Sequence, residues 1–160
     1  YDNIRKIYDI RGFYMENTFM REALSLAEKA LAMGEIPVGA VVVRKSDKKI
    51  IGKGYNRRET DKNPLSHAET EAILEASKTI GDWRLSGCSI YVTLEPCIMC
   101  AGAIKNARID DVYFGAFDKA EGAVCSAFDN IIKDYYAGIM EDECCEILEK
   151  FFKKIRQTDT

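Results

Sequence analysis

The sequence predicts one α/β domain built from packed layers, and three observations carry that prediction. Helical and strand-like periodicities alternate along the chain. A β-branched hairpin interrupts them early. No repeat, low-complexity tract or internal linker divides the chain. With 160 residues, 47% of them hydrophobic and 31% charged, the chain is long enough to bury a core without covalent staples.

Residues 1–14 show no clean period and read as an upstream extension or an expression remnant, so the domain is expected to span 15–157. Thr18 to Met33 puts Phe19, Ala23, Leu26, Ala27, Ala30 and Leu31 at helical spacing, and Gly34 follows as a stop. Val38 to Val43 is a β-branched run. A turn through Lys45 to Lys48 leads from it into a second strand at Ile50 and Ile51. Asn56 to Pro64 is polar and reads as a loop. A helix is expected from Ser66 to about Lys78, a strand from Ser89 to Leu94, a helix from Pro96 to near Ala107 and a strand from Asp111 to Ala116. Ala120 to Asp134 has only a weak helical signal. Glu141 to Arg156 is strongly amphipathic, with Cys144, Leu148, Phe151 and Ile155 on one stripe.

A net charge of −3 gives no global footprint for nucleic acid, so an RNA partner would need a local basic patch. The six cysteines sit in a chain with a full complement of aliphatic residues and no secretory apolar segment, which points to reduced thiols and a cytoplasmic setting rather than a disulfide framework. No apolar run approaches the roughly 20 residues of a membrane helix.

The chemistry concentrates at two expected helix starts. His67, the chain's single histidine, lies in His67-Ala68-Glu69, upstream of Pro96-Cys97-Ile98-Met99-Cys100. Imidazole nitrogen and thiolate sulfur suit zinc, and three protein ligands leave a fourth tetrahedral position for water. Helix N-termini favour thiolates through their unpaired N–H groups and dipole. Each step of an ideal helix turns about 100°, so His67 and Glu69 converge only if His67 precedes the regular helix. Ser66 as cap would allow that, with Glu69 free to move protons on the water.

Each piece also has a plainer reading. Ser66-x-x-Glu69 matches a capping box, in which Glu69 only reaches back to the backbone. Cys97-x-x-Cys100 could be a redox pair, or half of a structural Cys₃His site completed by Cys88 or Cys125. The combination, in this order, is the H-x-E and P-C-x-x-C signature of zinc deaminases that act on nucleobases.

The segment Tyr91 to Ile104 resembles the bacterial tRNA-specific adenosine deaminases, of the cytidine deaminase-like zinc-dependent nucleoside and nucleotide deaminase family, in nearly every position. Gly34 to Ala40, Asn56, Phe114-Gly115-Ala116 and Phe151-Phe152 resemble it too, so the likeness covers about Met15 to Gln157. The resemblance implies a three-layer α/β/α cytidine deaminase-like fold, its central mixed sheet of about five strands flanked by helices. It implies one zinc per chain on His67, Cys97 and Cys100, with Glu69 as the catalytic proton shuttle for hydrolysis of adenosine to inosine at the wobble position of a tRNA anticodon stem-loop. It also implies a homodimer, substrate contact by Asn56, and a place beside the RNA path for Phe151 and Phe152, one of the two turned inward. Candidate phosphate contacts are Arg57, Arg58, Lys62, Lys105, Arg108 and the basic residues of the last helix.

Two departures qualify the resemblance. Between Phe128 and Gly138 the chain is shorter than such enzymes, and Asp129 to Ala137 replaces a segment that in them carries histidine and asparagine. A deaminase of a free base or nucleoside, of guanine or cytosine type, is therefore the alternative within the enzyme class. A non-catalytic zinc or RNA-binding module, or a thiol oxidoreductase, is the alternative outside it. Thr70 stands where those enzymes usually carry an aliphatic residue.

Overall fold

The Val38–Val43 run becomes β1 (Gly39–Arg44), in which every residue but the last is buried, because helices cover both faces of the sheet around it. The computed structural model describes residues 10–124, 131–132 and 134–158. The expected extension at residues 1–9 and Cys125 lie outside them, as does part of the Asp129–Ala137 segment.

From the N-terminal side, α1 (Ile10–Ala32) leads into β1 and β2 (Lys49–Tyr55), followed by a short α2 (Arg58–Asp61) and α3 (Ala68–Ile80). Then come β3 (Cys88–Leu94), α4 (Ile98–Asn106), β4 (Asp111–Ala116), β5 (Tyr135–Ala137) and α5 (Glu141–Thr158). The sheet order is β2-β1-β3-β4-β5. β1 pairs antiparallel with β2 and β3, whereas β3, β4 and β5 run parallel, so the sheet is mixed. Helices α3 and α4 cover one face, where Ala68, Ala72, Ala76 and Ile104 pack on Val42, Ile90, Val92 and Phe114. Helices α1 and α5 cover the other, with Phe19, Met20, Ala23 and Cys144 against Val41, Val43 and Tyr91. The result is the expected three-layer arrangement. No helix among the described residues is long and apolar enough to cross a membrane.

Several boundaries differ from the sequence reading. Helix α1 begins at Ile10, eight residues before Thr18, running through Gly12, and Glu16 in the added stretch is turned onto the sheet side and buried. The expected loop at Asn56–Pro64 contains α2, and β5 has too few residues to show a period. The buried stripe of α5 is Cys144, Ile147 and Phe151, and Ile155 is exposed. β2 lies so close to α3 that a Cβ on Gly52 would sit 2.2 Å from the Ala72 carbonyl oxygen, and one on Gly54 would sit 2.1 Å from that of Ala68. This contact fixes where α3 begins relative to the end of the sheet that carries Val38, Asn56 and Leu94.

Candidate functional site

Helices α3 and α4 present their N-termini to each other at that end of the sheet. His67 is the N-cap of α3, in extended conformation (φ −86°, ψ 157°), and Cys97 is the N-cap of α4 (φ −70°, ψ 173°). The cap of α3 falls one residue later than the sequence reading, and that of α4 two residues later. Ser66 precedes the cap of α3, and Pro96 lies outside α4 rather than at its first helical position.

The shift resolves the capping question. The residue three past the cap is Thr70, not Glu69, and Thr70 Oγ1 accepts the His67 N–H at 3.1 Å. The hydroxyl that looked out of place against an aliphatic expectation is thus the reciprocal cap. Glu69, at the second helical position, is left out of it, and the capping-box reading of Glu69 is corrected.

His67, Cys97 and Cys100 place their donor atoms within 4.8 Å of one another. His67 Nδ1 lies 3.8 Å from Cys97 Sγ and 3.5 Å from Cys100 Sγ. Tetrahedral zinc with bonds of about 2.3 Å to sulfur and about 2.0 Å to nitrogen requires ligand separations of roughly 3.5 Å, so this donor set fits the ion. Cys88 is in no such cluster among the described residues, and no disulfide occupies any of Cys88, Cys97, Cys100, Cys144 or Cys145. Hydrogen bonds from Cys100 and His67 hold the Cys97 thiol down at about 4, within thiolate range at neutral pH. Cys100 shares that bond and is buried, and its thiol is pushed up. His67 is raised by its bond to Cys97.

Glu69 is almost fully buried, and burial raises its carboxyl to about 7 against the opposing pull of bonds from its own N–H and Cys100. A carboxyl poised there can take up and release a proton near neutral pH. It faces a cavity of about 400 Å³ whose walls include His67, Cys97, Asn56, Arg58, Ile36 and Glu95. Asp118 and Glu121, from the segment after β4, add two more acidic side chains to the cavity lining.

Asn56, singled out from the sequence, is therefore brought to the cavity. Its amide Nδ2 donates to Ile36 O at 3.1 Å, and its Oδ1 accepts the Arg58 N–H at 3.2 Å. One amide hydrogen and one lone pair remain for a ligand. Phe151 and Phe152 do not line the cavity. Phe151 is buried under α5 while Phe152 is 46% exposed, and their rings meet edge to face at 5.3 Å. Among the basic candidates Arg57 is paired with Asp61 at 2.9 Å and lies over the Tyr55 ring, whereas Arg58 reaches the cavity.

Two acids escaped the sequence reading. Glu95 is buried beside Cys97, and its Oε2 accepts the Asp118 N–H at 3.1 Å. It ties the segment after β4 to the start of α4, with Gly122 bridged to Cys97. Glu35 is buried under α2. The one sequence signal for either was an acid set among apolar residues, in Gly34-Glu35-Ile36-Pro37-Val38 and Leu94-Glu95-Pro96.

A family model for the cytidine and deoxycytidylate deaminase zinc-binding region matches residues 14–116. The chain is 40% identical over 150 residues to a tRNA-specific adenosine deaminase of Bacillus subtilis strain 168, covering 89% of this chain and 91% of that one. It is 44% identical over 144 residues to the same-named protein of Rickettsia bellii, covering 86% of this chain and 99% of the relative. A solved structure from studies of A-to-I editing by tRNA:A34 deaminases at the wobble position superposes with a TM-score of 0.75 at 39% identity. It covers 81% of this chain and 98% of the other.

Proposed function

The chain belongs to the cytidine and deoxycytidylate deaminase family of zinc-binding proteins, and from that premise we propose that it hydrolyses adenosine to inosine at the wobble position of tRNA, releasing ammonia. The observation that carries the reading is Glu69. It is a buried carboxyl left out of its helix cap, facing a cavity beside a His/Cys/Cys cluster.

In this reading His67, Cys97 and Cys100 hold zinc, which when bound supplies Lewis acidity and brings the pKa of water near 7. Glu69 takes one proton from the attacking water and delivers it to the ring nitrogen beside C6. Once the water oxygen has bonded to C6, Glu69 takes the remaining proton from that hydroxyl and passes it to the amino group. The C6–N bond then breaks to release ammonia as the C6–O bond becomes the carbonyl of inosine. Asn56 holds the base through its remaining amide hydrogen and lone pair. Identity of 40–44% to tRNA-specific relatives over 86–89% of the chain favours a tRNA over a free base. On the same reading a second copy of the chain completes a homodimer along the RNA path, the anticodon stem-loop is the element gripped, and the work is done in the cytoplasm. Phe152, exposed on α5, is then available to RNA, with Phe151 as its buried support.

A substrate panel tests this. Purified protein is incubated with a tRNA bearing a wobble adenosine and, separately, with adenosine, cytidine and guanine, while ammonia and inosine are measured. Turnover of the tRNA is expected, together with about one zinc per chain retained under reducing conditions. Turnover of a free base or nucleoside alone would overturn the substrate assignment. A metal-free, active protein would overturn the zinc centre.

A further inference from the structure

We propose that Glu35 is a positioning residue that fixes the Asn56–Arg58 wall of the cavity by capping α2 from a distant part of the chain. The proposal rests on the deaminase reading for its kinetic readout and on geometry alone for its structural one.

Glu35 is 1% exposed and sits one residue past Gly34, whose φ of +78° turns the chain out of α1. Its N–H donates to Ala30 O at 3.0 Å, and among the described residues the hydrogen bonds of its carboxylate all go to the start of α2. Oε1 accepts the Thr60 N–H at 2.6 Å and the Thr60 hydroxyl at 2.8 Å, and Oε2 accepts the Glu59 N–H at 3.2 Å. Asn56 Oδ1 accepts the preceding N–H, that of Arg58. Three successive backbone donors at the start of α2 are thus satisfied by just two side chains, Asn56 and Glu35.

Apart from Glu35 and residues 56–63, α2 and its cap are hydrogen-bonded only to Ser66 among the described residues, through the Arg57 N–H to Ser66 O at 3.0 Å and the Ser66 hydroxyl to Asp61 at 3.4 Å. The helix has four residues and buries none of them, and its own N-cap, Arg57, makes no capping bond through its side chain. Asn56 is tied back to the strap that carries Glu35, through Nδ2 to Ile36 O and through its N–H to Val38 O at 3.0 Å. The strap 34–38 and the segment 56–60 are therefore laced at both ends. Ile36, Asn56 and Arg58 line the cavity, and Glu35 lies behind them. Burying a carboxylate is unfavourable unless hydrogen bonds replace its lost water. Here the Thr60 and Glu59 bonds, with the charge of Arg58, outweigh burial and hold the Glu35 carboxyl below its ordinary range. An apolar residue of similar size would fill the space but leave the α2 donors unpaired.

The metal ligands lie on α3 and α4, which Glu35 does not touch. Losing its bonds should therefore loosen the substrate wall and spare the metal and the Glu69 proton transfers. Glu35→Gln keeps the volume but turns a donor towards an N–H, and Thr60→Val removes only the hydroxyl bond. Both are compared with the wild-type protein for steady-state kinetics on tRNA, zinc content, and amide exchange in peptides covering 56–62 and 97–106. For Glu35→Gln we expect KM to rise about tenfold with kcat within about threefold. Zinc should be unchanged and exchange faster in 56–62 only. Thr60→Val should raise KM by about threefold. If Glu35→Gln does not fold, Thr60→Val decides. Unchanged KM and exchange in the folded variants, or lost zinc with unchanged KM, overturns the proposal. A wild-type protein inactive on tRNA would instead overturn the functional reading, and the exchange data would still decide the role of Glu35.

Discussion

His67 and Glu69, two residues apart, would point in nearly opposite directions on an ideal helix. They converge because His67 is the N-cap, with extended backbone, and only Glu69 has entered the helix. Thr70 makes this possible by satisfying the His67 N–H. On the proposed reading this separates two duties, with binding of the ion falling to His67, Cys97 and Cys100 and proton movement to Glu69. Replacing Glu69 with Gln should leave zinc content unchanged, since Glu69 is not among the three clustered ligands. Deamination should fall by about 10²–10⁴, the range general acid–base groups contribute. Elemental analysis alongside an inosine assay checks both halves, and retained turnover would remove Glu69 from the mechanism.

At the scale of elements, the site depends on how β2 and α3 approach. Glycine at 52 and 54 lets the strand touch the helix backbone, and this contact sets the height at which the α3 N-terminus meets that of α4. A Cβ on Gly52 would also stand 2.7 Å from Ala76 N, and neither backbone atom can swing away. Gly52→Ala should destabilise the domain by about 1–3 kcal/mol, as overpacking does. In a chain of this size, each kcal/mol lowers the melting temperature by roughly 2–4 °C. Denaturant melts should show a lower midpoint with an unchanged slope. A variant as stable as the parent would mean that the two layers slide apart easily and that the close contact does not set the register.

Across the whole molecule, the α1/α5 face carries an aromatic ladder in which Phe19, Tyr91, Tyr113 and Tyr136 succeed one another at 5.1, 4.5 and 4.6 Å. Tyr91 pairs in register with Tyr113, and Tyr113 with Tyr136, so the ladder follows the strand order. Glu16, from α1, is buried next to it with no hydrogen bond to Oε2 among the described residues, and burial raises its carboxyl to about 7 against the attraction of Lys48. Tyr91 and Tyr113 are raised as well, mainly by burial and further by the charge of Glu16. A folded carboxyl that titrates near 7 instead of 4.5 binds its proton more tightly than the unfolded chain does. The stabilisation is complete below about 4.5 and is lost as pH rises through about 7. Glu16→Gln should therefore be more stable than the parent at pH 8, with the advantage shrinking towards pH 5. Melting curves of the two proteins across that range check the sign, and an advantage that does not change with pH would exclude Glu16 as the titrating group.

Much of the molecule was legible in the order of its residues. The 3.6 and 2.0 periods located the long helices and central strands, and the ligand spacing with Glu69 pointed to the centre, because these patterns are local. What escaped was short or non-local. The three residues of β5 exist as a strand through their ladder with β4. The cap of α3 falls at His67 rather than Ser66, where a threonine could answer it. Glu35 and Glu95 act on backbone 24–25 and 23 residues away, and no window of sequence joins those partners. The sequence alone determined which atoms could hold a metal and move a proton, because donor chemistry resides in the side chain. Only the tertiary structure decided which of them share a cavity and what holds its walls, because those depend on hydrogen bonds and packing between segments that meet when the sheet is assembled.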